Sequence, residues 1–334
     1  MKTGQLLVTA LPILLNIHAC SPSENITPAE EAARKMPVAV IDYREEMRNF
    51  VTGISQYAKT TNPQFLIIPQ NGIELITTNG ESNGTLAQSY IQAIDAVGQE
   101  DLYYGYTDDN VPTPAADNAY LRAFLDRIKN SKQVLVTDYC AQANGDASYA
   151  INNTNGYISF AANHRELDNI PGPPYNANAD DITDLKLARN FLYLINPQHY
   201  ASKAAFINAV SATNYDVIIM DQFLDAGRPF TAADIDRLKR KANGGKRLVI
   251  SYLSIGEAEV YRYYWQTNWD EDNPFFINAQ DPAWPGNYFV DYWTPAWQDI
   301  IYGNDSSYVK KIVDSHFDGA YLDLIDAFDY FENR

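Results

Sequence analysis

Cysteine is nearly absent from this chain: its 334 residues hold two, Cys20 and Cys140, too few for a disulfide framework. Histidine is almost as scarce. His18, His164, His199 and His316 show no HExxH spacing, and there is no CxxC, no glycine-rich phosphate loop and no GxSxG elbow. Those absences leave no metal or cofactor to expect. Cys140 follows Asp138 and Tyr139 at a predicted strand end, but no basic partner stands near it in sequence, so a thiol nucleophile is disfavoured. Positive charge is also in deficit, with 25 Lys and Arg against 42 Asp and Glu and a net charge of −17. Such a balance disfavours a nucleic-acid ligand, which needs a basic face, and is compatible with a cationic substrate. Beyond the first twenty residues no uninterrupted apolar run reaches about 18 residues, so no polytopic membrane protein is expected. No short-period repeat suggests a solenoid.

The N-terminus reads as an export signal. Residues 1–19 carry Lys2, an apolar run from Leu6 to Leu15 and small residues ahead of Cys20. Cys20 stands where a bacterial lipoprotein signal places its lipid-accepting cysteine. The expectation is therefore an exported lipoprotein anchored in the cell envelope, touching the membrane only through its lipid. An ordinary cleaved signal, with a periplasmic or secreted product, is the alternative. Residues 20–36 read as a polar tether.

Eight apolar runs with β-branched or aromatic content predict strands at 65–69, 93–98, 133–139, 156–162, 191–195, 216–221, 247–254 and 318–323. Helical patterns separate most of them, and this alternation predicts parallel βα units over residues 37–334. Eight units suggest a single (β/α)8 TIM-type barrel, with its chemistry at the C-terminal strand ends. The arithmetic is offset. Residues 43–58 form a helix with Met47, Phe50, Val51, Ile54 and Tyr57 on one face, preceded only by the ambiguous "VAVID", while the strand at 318–323 has no predicted helix after it. The N-terminal helix is expected to cover that last strand. Residues 164–184, rich in Pro, Asn and Asp, read as a linker between halves 37–163 and 185–334.

Acidic residues mark the strand ends: Asp323, Asp326, Glu100, Asp221, Asp138 and Glu257. Glycoside hydrolysis needs two carboxyl groups facing one pocket, and like charges held close in a partly dry cleft raise one pKa as a general acid requires. The chain also has 24 Tyr and 5 Trp, whose flat faces suit sugar stacking as well as cores. Trp265, Trp284, Trp293 and Trp297 fall in loops that could form such subsites.

The blocks "RLVISYLSIGEAEVYRYYW" (247–265), "WPGNYFVDYWTPAWQDII" (284–301) and "FDGAYLDLIDAFDYF" (317–331) resemble signature segments of glycoside hydrolase family 114. "FLIIPQNGIEL" (65–75), "IDAVGQEDLYYG" (94–105), "VLVTDYC" (134–140) and "YISFAANHRELD" (157–168) resemble its other blocks. The resemblance implies an endo-α-1,4-polygalactosaminidase-like enzyme acting on a cationic amino-sugar polymer. It also implies Asp323 as nucleophile, Glu100 as acid/base, and sugar contacts at Asp221, Tyr252, Glu257, Asn71, Asp138 and Tyr139. Glu74 and Glu257 are the substitutes for Glu100. The order departs from the family, where the SIGEAE and YLDLID blocks come first. The exchange looks like a circular permutation. A carbohydrate-binding lipoprotein without turnover, or a glycosidase for another glycan, are the rival readings.

Overall fold

The computed structural model describes residues 41–225 and 227–334. Cys20, the signal, the tether and most of "VAVID" lie outside them. The first helix, α1 (Tyr43–Thr61), starts where the Asp42 carboxylate accepts the Glu45 N–H at 2.9 Å. It buries Met47, Phe50, Val51, Ile54 and Ala58 on one face. Strands and helices then alternate: β1 (Leu66–Pro69), α2 (Gln88–Ala93), β2 (Ala96–Glu100), α3 (Ala115–Ile128), β3 (Gln133–Tyr139), α4 (Gln142–Thr154) and β4 (Ile158–Ala162). The second half continues with β5 (Phe191–Leu194), α5 (Lys203–Ser211), β6 (Val217–Asp221), α6 (Ala232–Leu238) and β7 (Leu248–Ser254). A three-stranded antiparallel insertion follows, β8 (Glu257–Glu259), β9 (Ile277–Gln280) and β10 (Asn287–Val290), in the order β8-β10-β9. Helices α7 (Pro295–Ile301) and α8 (Tyr308–Asp314) lead to β11 (Gly319–Asp323) and α9 (Phe328–Glu332).

Two parallel sheets carry the eight βα strands. One runs β1-β11-β7-β6-β5 and the other β2-β3-β4. They meet at a parallel bridge between Gln70 and Gly98, where the Asn71 N–H donates to the Gly98 carbonyl at 2.9 Å. On the far side β4 lies beside β5, with the Phe160 and Phe191 rings 5.8 Å apart, but no ladder joins them among the described residues. The expected closed barrel is thus met as a mixed α/β fold with parallel sheets, without a continuous ring of hydrogen bonds. Both faces of these strands are buried, β6 and β7 along their whole lengths, which accounts for their continuous apolar runs in the sequence.

Gly98 is where the interior demands glycine: a Cβ there would stand 2.0 Å from the Tyr321 hydroxyl. Helix α1 packs on α2, α8 and α9 and against β1, next to β11 in the sheet. Arg44 pairs with Glu332 at 2.9 Å, and Tyr43 stacks on Phe331 with centroids 5.3 Å apart. The expectation of no helix after the last strand is corrected, since a 3-10 turn at Ile325–Ala327 and α9 follow it. The insertion β8–β10, α4 and α7 also went unpredicted, and the strand expected at 93–98 sits at 96–100.

Candidate active site

The C-terminal strand ends surround a cleft of about 540 Å³. Register brings its acids together: β11 pairs with β1, and β1 is bridged to β2, so Asp323 and Glu100 end strands on either side of β1. Gln70, just past β1, stands between them. Its amide nitrogen donates to Glu100 Oε2 at 2.8 Å and to Asp323 Oδ1 at 3.0 Å. The Tyr193 hydroxyl, from β5, donates to Gln70 Oε1 at 3.0 Å, and the carboxylates, which can only accept, take the amide nitrogen.

Each carboxylate has further donors. Asp323 Oδ2 accepts from the Tyr252 hydroxyl at 2.7 Å, and Oδ1 also accepts the Leu324 N–H at 2.9 Å. That second bond uses the left-handed backbone of Leu324. Glu100 Oε2 accepts from Asn71 Nδ2 at 2.9 Å, Oε1 accepts from the Tyr139 hydroxyl, and Asn71 Oδ1 receives the Glu100 N–H at 3.0 Å. Tyr252, Asn71 and Tyr139 line the cleft and orient the acid pair. Desolvation pushes Asp323 up to about 8, with the neighbouring Glu100 charge the next cause; Tyr252 pulls in the opposite direction.

The other expected contacts divide. Glu257 is fully buried on the wall of the cleft; its Oε2 accepts from Asn287 at 3.1 Å while Oε1 has no partner among the described residues. Burial, followed by the Asp281 charge, pushes it up to about 9. Asp221 also lines the cleft, yet its carboxylate is taken by Arg262 and by the Phe223 N–H at 2.7 Å. Arg262 pairs with Glu259 as well.

Asp138 is a correction. It is fully buried, does not line the cleft, and accepts from the Tyr103 N–H at 2.8 Å, the Ser148 hydroxyl at 2.6 Å and Asn152 Nδ2 at 3.0 Å. It ties the β2–α3 loop to α4. Of the four tryptophans only Trp284 lines the cleft, 57% exposed. Trp297 is buried and donates to the Ile255 carbonyl at 2.8 Å. Trp293 packs on Tyr292 and Phe331, and Trp265 on Trp269 and Tyr288. Burial pushes the Cys140 thiol up to about 12, away from nucleophilic use. Gln70, Tyr193, Arg262 and Arg165 were missed by sequence reasoning. Gln70 alone left a signal, as a polar residue closing an apolar run inside a quoted block.

Paired carboxyl groups at the ends of parallel strands, hydrogen-bonded through one amide, form the arrangement on which glycoside hydrolases work. Residues 196–334 match the sequence model of the glycoside-hydrolase family GH114. This match supports a glycoside hydrolase and covers Asp323 but not Glu100. An uncharacterized protein of Deinococcus radiodurans is 40% identical over 128 residues, 38% of this chain and 39% of that one. Another, from Thermotoga maritima, is 36% identical over 121 residues, 36% of each chain. A third, from Methanocaldococcus jannaschii, is 34% identical over 155 residues, 46% of this chain and 42% of the relative. The chain thus spans less than half the length of these relatives.

Proposed function

We propose that this protein is a retaining glycoside hydrolase cleaving α-linked amino-sugar polysaccharide of the α-1,4-galactosamine type. Asp323 attacks the anomeric carbon. Glu100 protonates the departing glycosidic oxygen and then deprotonates the water that releases the sugar. The observation that carries the reading is the single Gln70 nitrogen within 2.8 Å and 3.0 Å of the two carboxylates. A shared donor holds the acids in one geometry and keeps them close enough for their charges to couple. The cleft's lining holds more acids than bases, with Asp221, Asp225, Glu259 and Asp326 beside the catalytic pair against Arg165 and Arg262 and with Glu257 held neutral by burial, and this balance favours a cationic substrate.

In this reading the eight parallel strands form a (β/α)8 barrel whose segments are circularly permuted relative to GH114. Two facts support it. Helix α1 packs beside β1 and α9, where the helix following β11 would lie in the family order. An alignment that runs in one direction can cover only one of two exchanged halves, in keeping with a match confined to residues 196–334.

Digestion of a glycan panel with mass-spectrometric readout tests the function. Galactosamine oligomers should be cleaved by the wild type and not by Asp323→Asn. Undiminished cleavage by Asp323→Asn would refute the assignment.

A further inference from the structure

Arg165 takes no part in the bond-making, yet it touches three segments around Glu100. It follows β4 and lines the cleft. Its guanidinium carbon lies 3.8 Å from the centroid of the Tyr139 ring. Nη2 donates to Asp101 Oδ1 at 3.1 Å and to the Gly105 carbonyl at 2.9 Å, while Nε donates to Asp109 Oδ1 at 2.6 Å. Three acceptors fix the plane of this fork over the ring, which the point charge of a lysine could not do.

Both ends of that contact lead to Glu100. The Tyr139 hydroxyl donates to Glu100 Oε1, and Asp101 is the next residue in the chain. The loop carrying Asp101, Gly105 and Asp109 also closes on the end of β3. There the Tyr139 N–H donates to the Tyr104 carbonyl at 3.2 Å, and the Asn110 N–H donates to the Tyr139 carbonyl at 2.8 Å. Burial, then the Glu100 charge, raises the Tyr139 phenol well above its ordinary value, and Arg165 pulls it back. A cation on the face of the ring makes its hydroxyl a stronger donor. Burial likewise pushes Asp101 up to about 6 against the pull of Arg165.

The segment that delivers Arg165 is itself pinned. It lies at the seam between β4 and β5, where no ladder joins the sheets among the described residues. Leu167 is held at a φ of 50°, a left-handed angle that leucine rarely adopts. Its carbonyl accepts the Ile195 and Asn196 N–H groups at 3.0 Å and 3.2 Å. Asp168 stands between His164 Nδ1 at 2.9 Å and His199 Nε2 at 2.8 Å. Strained backbone persists only where its surroundings over-determine it, and it clusters at functional sites.

We propose that Arg165 is a positioning residue for the acid/base. Its guanidinium holds the Tyr139 ring and the Asp101 loop together, so that the Tyr139 hydroxyl keeps Glu100 aimed at the glycosidic oxygen. The inference rests on the glycosidase reading.

The test compares Arg165→Met, Tyr139→Phe and the double variant by steady-state kinetics on an α-1,4-galactosamine oligomer, with thermal melting to confirm folding. Arg165→Met should lower kcat about 10²-fold, the cost of misplacing a reacting group by about 1 Å, while KM changes little. Added to Tyr139→Phe it should cost little more, because residues that act as one unit are not additive. Costs that multiply, a loss confined to KM, or full kcat in Arg165→Lys each overturn the inference and leave the glycosidase reading intact. Should Arg165→Met melt early, Asp109→Ala removes only the Nε anchor, at a half-exposed acid outside the cleft lining. It should lower kcat in the same direction, and an unchanged kcat overturns the inference. If the wild type leaves the oligomer intact, the glycosidase reading fails for this glycan and a measurement without turnover decides. In protein labelled with carbon-13 at the tyrosine ζ-carbon, the Tyr139 resonance, assigned through Tyr139→Phe, should move in Arg165→Met toward that of a solvated tyrosine. A resonance that stays in place overturns the inference.

Discussion

The amide nitrogen of Gln70 is shared between Glu100 and Asp323, at 2.8 Å and 3.0 Å. Replacing it by Gln70→Glu keeps the shape but turns a donor into a third carboxyl group. The Tyr193 hydroxyl still finds an acceptor, so the fold should persist. Turnover should fall about 10²–10³-fold, the range for losing one preorganised donor, with KM moving far less. Steady-state kinetics on the oligomer identified by the glycan panel checks this.

The same amide sets an expectation for stereochemistry. Its two hydrogens diverge by about 120°, so acceptors at those distances stand about 5 Å apart. Retaining pairs lie at about 5–5.5 Å and inverting pairs at roughly 6.5–9.5 Å. Proton NMR of the first product should show retained anomeric configuration. Azide should restore turnover to Glu100→Ala on a substrate with a good leaving group, by attacking the glycosyl-enzyme. An inverted product would count against Asp323 as nucleophile.

Tyr252 donates to Asp323 and so favours its charged form. The acid pair should keep one proton up to a pH of about 8, placing the alkaline limb of kcat/KM near that value. Tyr252→Phe removes a bond to the charged carboxylate. The limb should then move to higher pH and the maximal rate should drop. A limb that stays in place would mean the pair is titrated by some other contact.

Packing at Gly98 gives a prediction about stability. An alanine Cβ would meet the Tyr321 hydroxyl at 2.0 Å and its ring carbon at 2.5 Å. Overpacking of this kind costs about 1–3 kcal/mol, readable in chemical denaturation. Tyr321→Phe should be neutral or stabilising by itself, because among the described residues the buried hydroxyl has no partner to lose.

Export and anchoring are proposed from Cys20. Labelled fatty acid should be incorporated by the wild type and lost in Cys20→Ala. Incorporation that survives the substitution would place the anchor elsewhere, and none at all would favour plain secretion.

Much of this protein was legible locally. The apolar runs located the eight parallel strands because both faces of each are buried, and the spacing of Met47, Phe50, Val51 and Ile54 defined the buried face of α1. Strand-end position placed Asp323 and Glu100 among six candidate acids, since carboxylates that close an apolar run reach the sheet's C-terminal edge, and the family resemblance picked out these two as the pair. Destination was another matter. Asp138 and Glu100 both sit at strand ends, yet one is enclosed by Ser148, Asn152 and two backbone N–H groups while the other opens on the cleft. Trp284 and Trp297 belong to one quoted block, and only the first reaches the cleft. Periodicity reports which way a residue points from its own element, and it carries no record of what another element brings to meet it. The sharing of Gln70 depends on β1 lying between β11 and β2, on their register, and on Tyr193 arriving from β5. Gln70 and Glu100 are 30 residues apart, but Tyr193 and Asp323 lie more than a hundred from Gln70, so the tertiary structure alone decided that they meet.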